Sequence, residues 1–145
     1  MSAEPGRSRR WCALGLEGLV AAALGAAGLL KLADPGRFAA EIAAFRLVGG
    51  TATGVLAVYL PWLELTVAAA LMTVRFRTAG RLGAAVLLAV FSLALVSAWA
   101  RGLDVECGCF GRVASGPVAF GLARNGLLLI ALWGAGRLRR SRSRQ

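Results

Sequence analysis

Residues 107–109 read Cys-Gly-Cys, inside the short stretch ARGLDVECGCFG that separates two long apolar runs. Two thiols this close can pass between dithiol and disulfide: one thiolate attacks a disulfide sulfur of a partner, and the second resolves the mixed bond. Closing Cys107 on Cys109 requires their Cα atoms to approach within about 4.4–6.8 Å. Gly108, lacking a Cβ, permits the tight turn this needs. A ring so small stores strain, and strain makes a disulfide easier to reduce. Redox exchange is therefore the leading reading. Two others stay open: a bridge that only braces its loop, or two inert buried thiols; and half of a metal site completed by a second subunit. The chain alone supplies no metal site, since it has three cysteines and no histidine, and zinc or iron–sulfur centres usually take four ligands. The third cysteine, Cys12, begins the first apolar run on the far side, roughly a membrane thickness (~30 Å) away, and cannot join the pair.

The second signal is a set of ionisable residues inside apolar sequence. Glu64 lies near the middle of VYLPWLELTVAA, where an ionisable group costs at least about 2.5–3.5 kcal/mol in a bilayer, so it must face the interior of a bundle. Pro61 removes a backbone donor three residues earlier, predicting a kink and a freed carbonyl. The candidate partners of Glu64 are Arg124 in ARNGLLL and Lys31 in GLLKLADPGRF. Such a cluster is either a polar clamp that fixes helix register or a proton or cofactor site beneath the thiols. Glu17 stands about five residues from the edge of its run and reads as reaching toward water. Tyr59, Trp62 and Trp99 could line an aromatic pocket for a quinone-like ring, whereas Trp11, Trp99 and Trp133 also read as membrane-interface belts.

These groups have to be positioned by membrane helices. The 145 residues are 58% hydrophobic, with a mean hydropathy of +0.68. Four runs reach the roughly 20 residues that a spanning helix needs, at about 11–32, 52–74, 82–100 and 117–136. The fold expected is an all-α, four-helix transmembrane bundle forming a single domain over 1–145, with a basic disordered tail at 137–145. The first run is too long for a signal-peptide core and continues into Lys31 and Pro35, so it is kept as a helix that stays.

The net charge of +10 and pI near 11.5 point to topology and anionic lipid, and away from nucleic acid, because the arginines are segregated. Arg7, Arg9 and Arg10 precede the first run; Arg75, Arg77 and Arg81 fill the link between the second and third; five more follow the fourth. The positive-inside rule makes that side cytoplasmic and puts both termini there, with the CGC segment outside a cell (inner or plasma) membrane. Between the first two runs, DPGRFAAEIAAFRLVGG opens on Asp34 as a helix-start signal and sets Phe38, Ile42 and Phe45 on one stripe, predicting an amphipathic interfacial helix that ends at Gly49-Gly50. Gly15, Gly18, Ala21, Gly25 and Gly28 on the first helix read as close-packing positions.

KLADPGRF, LPWLEL, ARGLDVECGCFG and ARNGLLL, in this order and setting, resemble the methylamine-utilisation protein MauE family within the DoxX-like group of small membrane proteins. The positions that match are Lys31, Asp34, Pro35, Phe38, Pro61, Glu64, Cys107, Gly108, Cys109, Phe110, Gly111, Arg124 and Asn125. The resemblance implies an inner-membrane protein whose cysteine pair faces the cell exterior. It also implies a role in maturation, processing or transport of the disulfide-rich beta subunit of methylamine dehydrogenase, alongside a thioredoxin-like partner.

The leading function is thus a membrane thiol–disulfide factor, a thiol oxidoreductase if it turns over. Its partners would be an extracytoplasmic thioredoxin-like protein and a secreted client with disulfides, and Phe110 would pack the loop onto the bundle. Two alternatives remain. One is a small proton-coupled transporter, dimeric or not, in which Glu64 binds the proton and the CGC bridge braces a loop. The other is a non-catalytic subunit that holds an assembly at the membrane.

Overall fold

The computed structural model describes residues 5–103 and 118–140. Cys107, Gly108, Cys109, Phe110 and Gly111, and the readings that rest on them, lie outside the described residues. Within those bounds the chain forms five helices: α1 (Pro5–Ala33), α2 (Pro35–Ala44), α3 (Thr51–Met72), α4 (Arg77–Ala100) and α5 (Val118–Arg140). All but α2 are long and apolar enough to cross a membrane. The expected all-helical architecture is present, and the chain is a multi-pass membrane protein.

Each long helix buries one stripe. On α1 it passes through Ala13, Glu17, Val20, Leu24, Ala27 and Lys31, and on α3 through Ala57, Pro61, Glu64, Ala68 and Leu71. These three- and four-residue steps keep one helical face turned inward. Leu24, Leu71, Leu88, Leu128 and Leu132 meet in the shared core. The opposite faces carry large apolar side chains such as Leu19, Val58, Leu93 and Ile130, an exterior that suits lipid. The helices ring the core in the order α1, α3, α4, α5, with α5 closing on α1. Gly25 faces Ala68 while Gly28 faces Pro61 and Leu65, so α1 and α3 run antiparallel. Paired contacts make the other neighbours antiparallel too: Gly80 on Leu71 and Gly83 on Val67 for α3 and α4, Arg81 by Gly136 and Ser92 by Asn125 for α4 and α5, and Leu16 on Gly134 with Lys31 and Arg124 at one cavity for α1 and α5.

An amphipathic helix forms where it was expected to start, but it ends at Ala44. Asp34 caps it by accepting a hydrogen bond from the Arg37 amide at 3.0 Å, and Pro35 takes the first turn, where no amide donor is required. Phe38 is buried, with Ile42 and Phe45 half-buried behind it, and the helix packs on α3 and the end of α1. Gly50, at φ 59 and ψ −134, lets the chain turn into α3. At the far end of α4 the Leu103 amide donates to Ala98 O and the Gly102 amide to Trp99 O. With Gly102 at φ 64, this pair closes the helix in a Schellman turn, just ahead of the CGC segment.

Three details differ from the sequence expectation. First, α4 starts at Arg77 and α5 continues to Arg140, so residues 77–81 and 137–140 are helical where a link and a tail were expected. Their arginines have a buried acceptor to reach, described below. Second, Gly28 answers the close-packing reading, because a Cβ there would meet Pro61 O at 3.0 Å, but no atom of the described residues lies within 4 Å of a Cβ built on Gly15 or Gly18. Those two face outward. Third, α2 stops at Ala44, short of the Gly49-Gly50 end expected for it.

The tightest approach is at Gly80, where an added Cβ would sit 2.6 Å from the Leu71 backbone nitrogen. Gly80→Val is therefore expected to destabilise the purified protein by about 1–3 kcal/mol or more, since backbone cannot yield as a side chain can. Gly15→Ala is expected to be neutral or to stabilise by about 0.5–1 kcal/mol. Thermal unfolding in detergent followed by size-exclusion chromatography measures both.

Candidate functional site

The last turn of α1 stops well short of the start of α3. With Gly28 seated against Pro61 and Leu65, Lys31 comes level with Glu64. The two form an ion pair with side chains 3% and 0% exposed. The helix register thus brings Lys31 of α1 to Glu64 of α3.

The remaining helices close over the pair. Phe38 of α2 and Phe91 of α4 place their rings 4.9 and 4.7 Å from Lys31 Nζ, within cation–π range. On α5, Arg124 Nη2 donates to Asn125 Oδ1 at 3.2 Å, and Asn125 Nδ2 donates to Ser92 Oγ at 3.3 Å. Ser92 Oγ in turn donates to Leu88 O at 2.7 Å. The polar chain thus ends on a backbone carbonyl, and Asn125, fully buried, has partners for both ends of its amide. Lys31, Glu64, Phe91, Arg124 and Asn125 line a small cavity, with about 20 Å³ open to the centre of a water molecule. That is room for roughly one water, in a mostly apolar lining that includes Leu24, Leu88 and Leu128.

Of the residues singled out in the sequence, Lys31, Glu64, Arg124 and Asn125 gather at this cavity. Pro61 lies one turn above Glu64 on the same stripe, and Asp34 serves as the cap that aims Phe38. Tyr59, Trp62 and Trp99 are exposed on the outer surface of the bundle. They fall between the inward positions 57, 61 and 64 on α3, or off the stripe of α4, and form no internal ring pocket. Trp11 and Trp133 are likewise exposed, as interface belts require.

Sequence reasoning missed Phe91 and Ser92, whose only signal is their place on the inward face of α4, one turn beyond Leu88. It also missed Arg101, which donates through Nη2 to Phe45 O at 2.7 Å and through Nη1 to Arg46 O at 3.3 Å. That fork ties the end of α4 to the end of α2, where carbonyls lack helical partners. Glu17 was misread outright. It is fully buried: Arg139 grips both of its oxygens at 3.1 and 2.8 Å, with Arg77 Nε at 3.3 Å and Arg81 Nε at 3.6 Å. The arginines come from α4 and α5, so nothing local in α1 announces them.

The MauE family model, described as methylamine utilisation protein MauE, matches residues 9–137. The chain belongs to the MauE family. It is 35% identical over 108 residues to methylamine utilization protein MauE of Paracoccus denitrificans, covering 74% of this chain and 58% of that protein. It is also 36% identical over 97 residues to the protein of the same name from Methylophilus methylotrophus, covering 66% and 51%. The chain thus spans little more than half the length of these relatives. No solved structure matches it.

Breaking the buried pair from one side leaves an unbalanced charge, which costs about 3–5 kcal/mol. Lys31→Met alone is expected to lose stability on that scale. Adding Glu64→Leu should recover most of it, because a well-packed apolar pair replaces two desolvated ions. A double-mutant thermal-stability cycle in detergent is the measurement, and additive losses would contradict the pairing.

Proposed function

We propose that this chain is a membrane thiol–disulfide component in the maturation of a secreted, disulfide-bearing client, the setting being methylamine utilisation as in the relatives' name. The observation that carries the reading is the buried Lys31–Glu64 pair with its cavity and the Arg124–Asn125–Ser92 chain. It lies toward the end of the bundle where α4 leads, through Gly102, into the segment bearing Cys107 and Cys109. Family membership and the fixed Cys-Gly-Cys spacing support the same reading.

The chemistry would be exchange with an extracytoplasmic thioredoxin-like partner. A thiolate of the reduced pair attacks the partner's disulfide, a mixed disulfide forms, and the second cysteine displaces it. The Cys107–Cys109 bond forms as the partner's S–S bond breaks; two electrons and two protons pass to the partner, which leaves as a dithiol. In the opposite direction the same steps reduce the pair. The arginine-rich end faces the cytoplasm and the thiols face outward, where disulfides persist.

Replacing Cys107 or Cys109 singly by Ser should trap a mixed disulfide in membranes, seen as a dithiothreitol-sensitive adduct on non-reducing gels. An impermeant maleimide should label both thiols in reduced, intact cells. Client oxidation unchanged by Cys107→Ser/Cys109→Ser would overturn the proposal. The buried Glu64 also favours a second reading, a proton-coupled carrier. Glu64→Gln abolishing solute flux in proteoliposomes while thiol exchange continues would select it.

A further inference from the structure

The cluster around Glu17 stands at the opposite end of the bundle from the Lys31–Glu64 pair. Glu17 and Lys31 share the inward stripe of α1 fourteen residues apart, a separation of about 21 Å along the helix. Three guanidiniums converge on this single carboxylate, from the first residue of α4, its second turn and the last turn of α5. Each guanidinium carries about five N–H donors, whereas a carboxylate offers about four acceptor positions. Arg139 already occupies both oxygens. Arg77 approaches Glu17 through Nε and shares that nitrogen with Leu71 O at 3.3 Å. Arg81 Nε is buried and has no hydrogen-bond partner among the described residues, its distance to Glu17 being too long for one.

Among the described residues the cluster is therefore short of acceptors and carries two positive charges in excess. It is also open to the outside, with the side chains of Arg77, Arg81 and Arg139 13%, 23% and 29% exposed. Exposed apolar side chains neighbour these arginines along the chain, Phe76 next to Arg77, Leu82 next to Arg81 and Trp133 on α5 ahead of Arg139, and Arg137 lies over the Trp133 ring at 3.9 Å. A cationic, donor-rich recess beside an apolar collar at a helix-bundle end suits an amphiphile with an oxyanion head.

We propose that Arg77, Arg81 and Arg139, organised by Glu17, form a binding site for a phosphate oxyanion, carried by an anionic phospholipid whose acyl chains lie against the apolar collar. Glu17 gathers the three guanidiniums without saturating them. The phosphate supplies the acceptors that are lacking.

The test uses the full-length protein in neutral detergent, with phosphatidylglycerol, phosphatidylcholine or inorganic phosphate added and thermal stability and native mass spectrometry as readouts. Phosphatidylglycerol should bind and stabilise, and phosphatidylcholine should not. Arg77→Gln/Arg81→Gln keeps the Arg139–Glu17 fork and should weaken phosphatidylglycerol binding about thirtyfold, at about a factor of five for each cation lost. Arg9→Gln/Arg10→Gln, which removes exposed arginines from the same end, should leave it unchanged. Inorganic phosphate reproducing the whole effect would support the oxyanion site and assign it to free phosphate. Equal binding of the two lipids, or undiminished phosphatidylglycerol binding by the Arg77/Arg81 variant, would overturn the proposal.

Discussion

A carboxylate inside a helix bundle must be met by a cation, and two such requirements organise this protein. Glu17 and Glu64 are both wholly removed from solvent. Desolvating an ion costs several kcal/mol even after relaxation, and only close, well-oriented partners offset that cost. Each carboxylate draws its cations from other helices: Lys31 of α1 for Glu64 of α3, and arginines of α4 and α5 for Glu17 of α1. Apolar packing among Leu24, Leu71, Leu88 and Leu128 would tolerate sliding or rotation between helices. The ion pairs would not, since a shift of one turn strands a charge.

The two centres divide the bundle into functional ends. At one, the pair is sealed by two phenylalanine rings and adjoins a cavity for about one water. The amphipathic α2 is held there by its Asp34 cap and by the fork of Arg101 on its final carbonyls. At the other, arginines exceed the carboxylate they surround and lie partly open. The first arrangement is closed and rigid. The second suits contact with the charged surface of the membrane.

Much of this was legible in the sequence. Apolar runs of spanning length gave the long helices, Asp34-Pro35-Gly36 gave the start of α2, and the cost of an acid in hydrocarbon turned Glu64 inward. The helix ends were less legible, because hydropathy stops where arginines begin, whereas α4 and α5 continue through Arg77 and Arg139 to reach Glu17. Glu17 was misjudged for a related reason: its depth along α1 was counted from the edge of an apolar run, while its burial depends on how far α5 extends beside it.

By itself, the sequence determined the membrane setting, the number of apolar runs of spanning length and the segregation of arginines. These follow from local composition and spacing, which the chain carries whatever its neighbours do. Only the tertiary structure decided that Glu64 takes Lys31, that Phe91 and Ser92 complete that chamber, and that three distant arginines share Glu17. Partner choice among buried charges is set by helix register, and register is fixed by contacts such as Gly28 on Pro61 and Gly80 on Leu71, which join residues far apart in the chain.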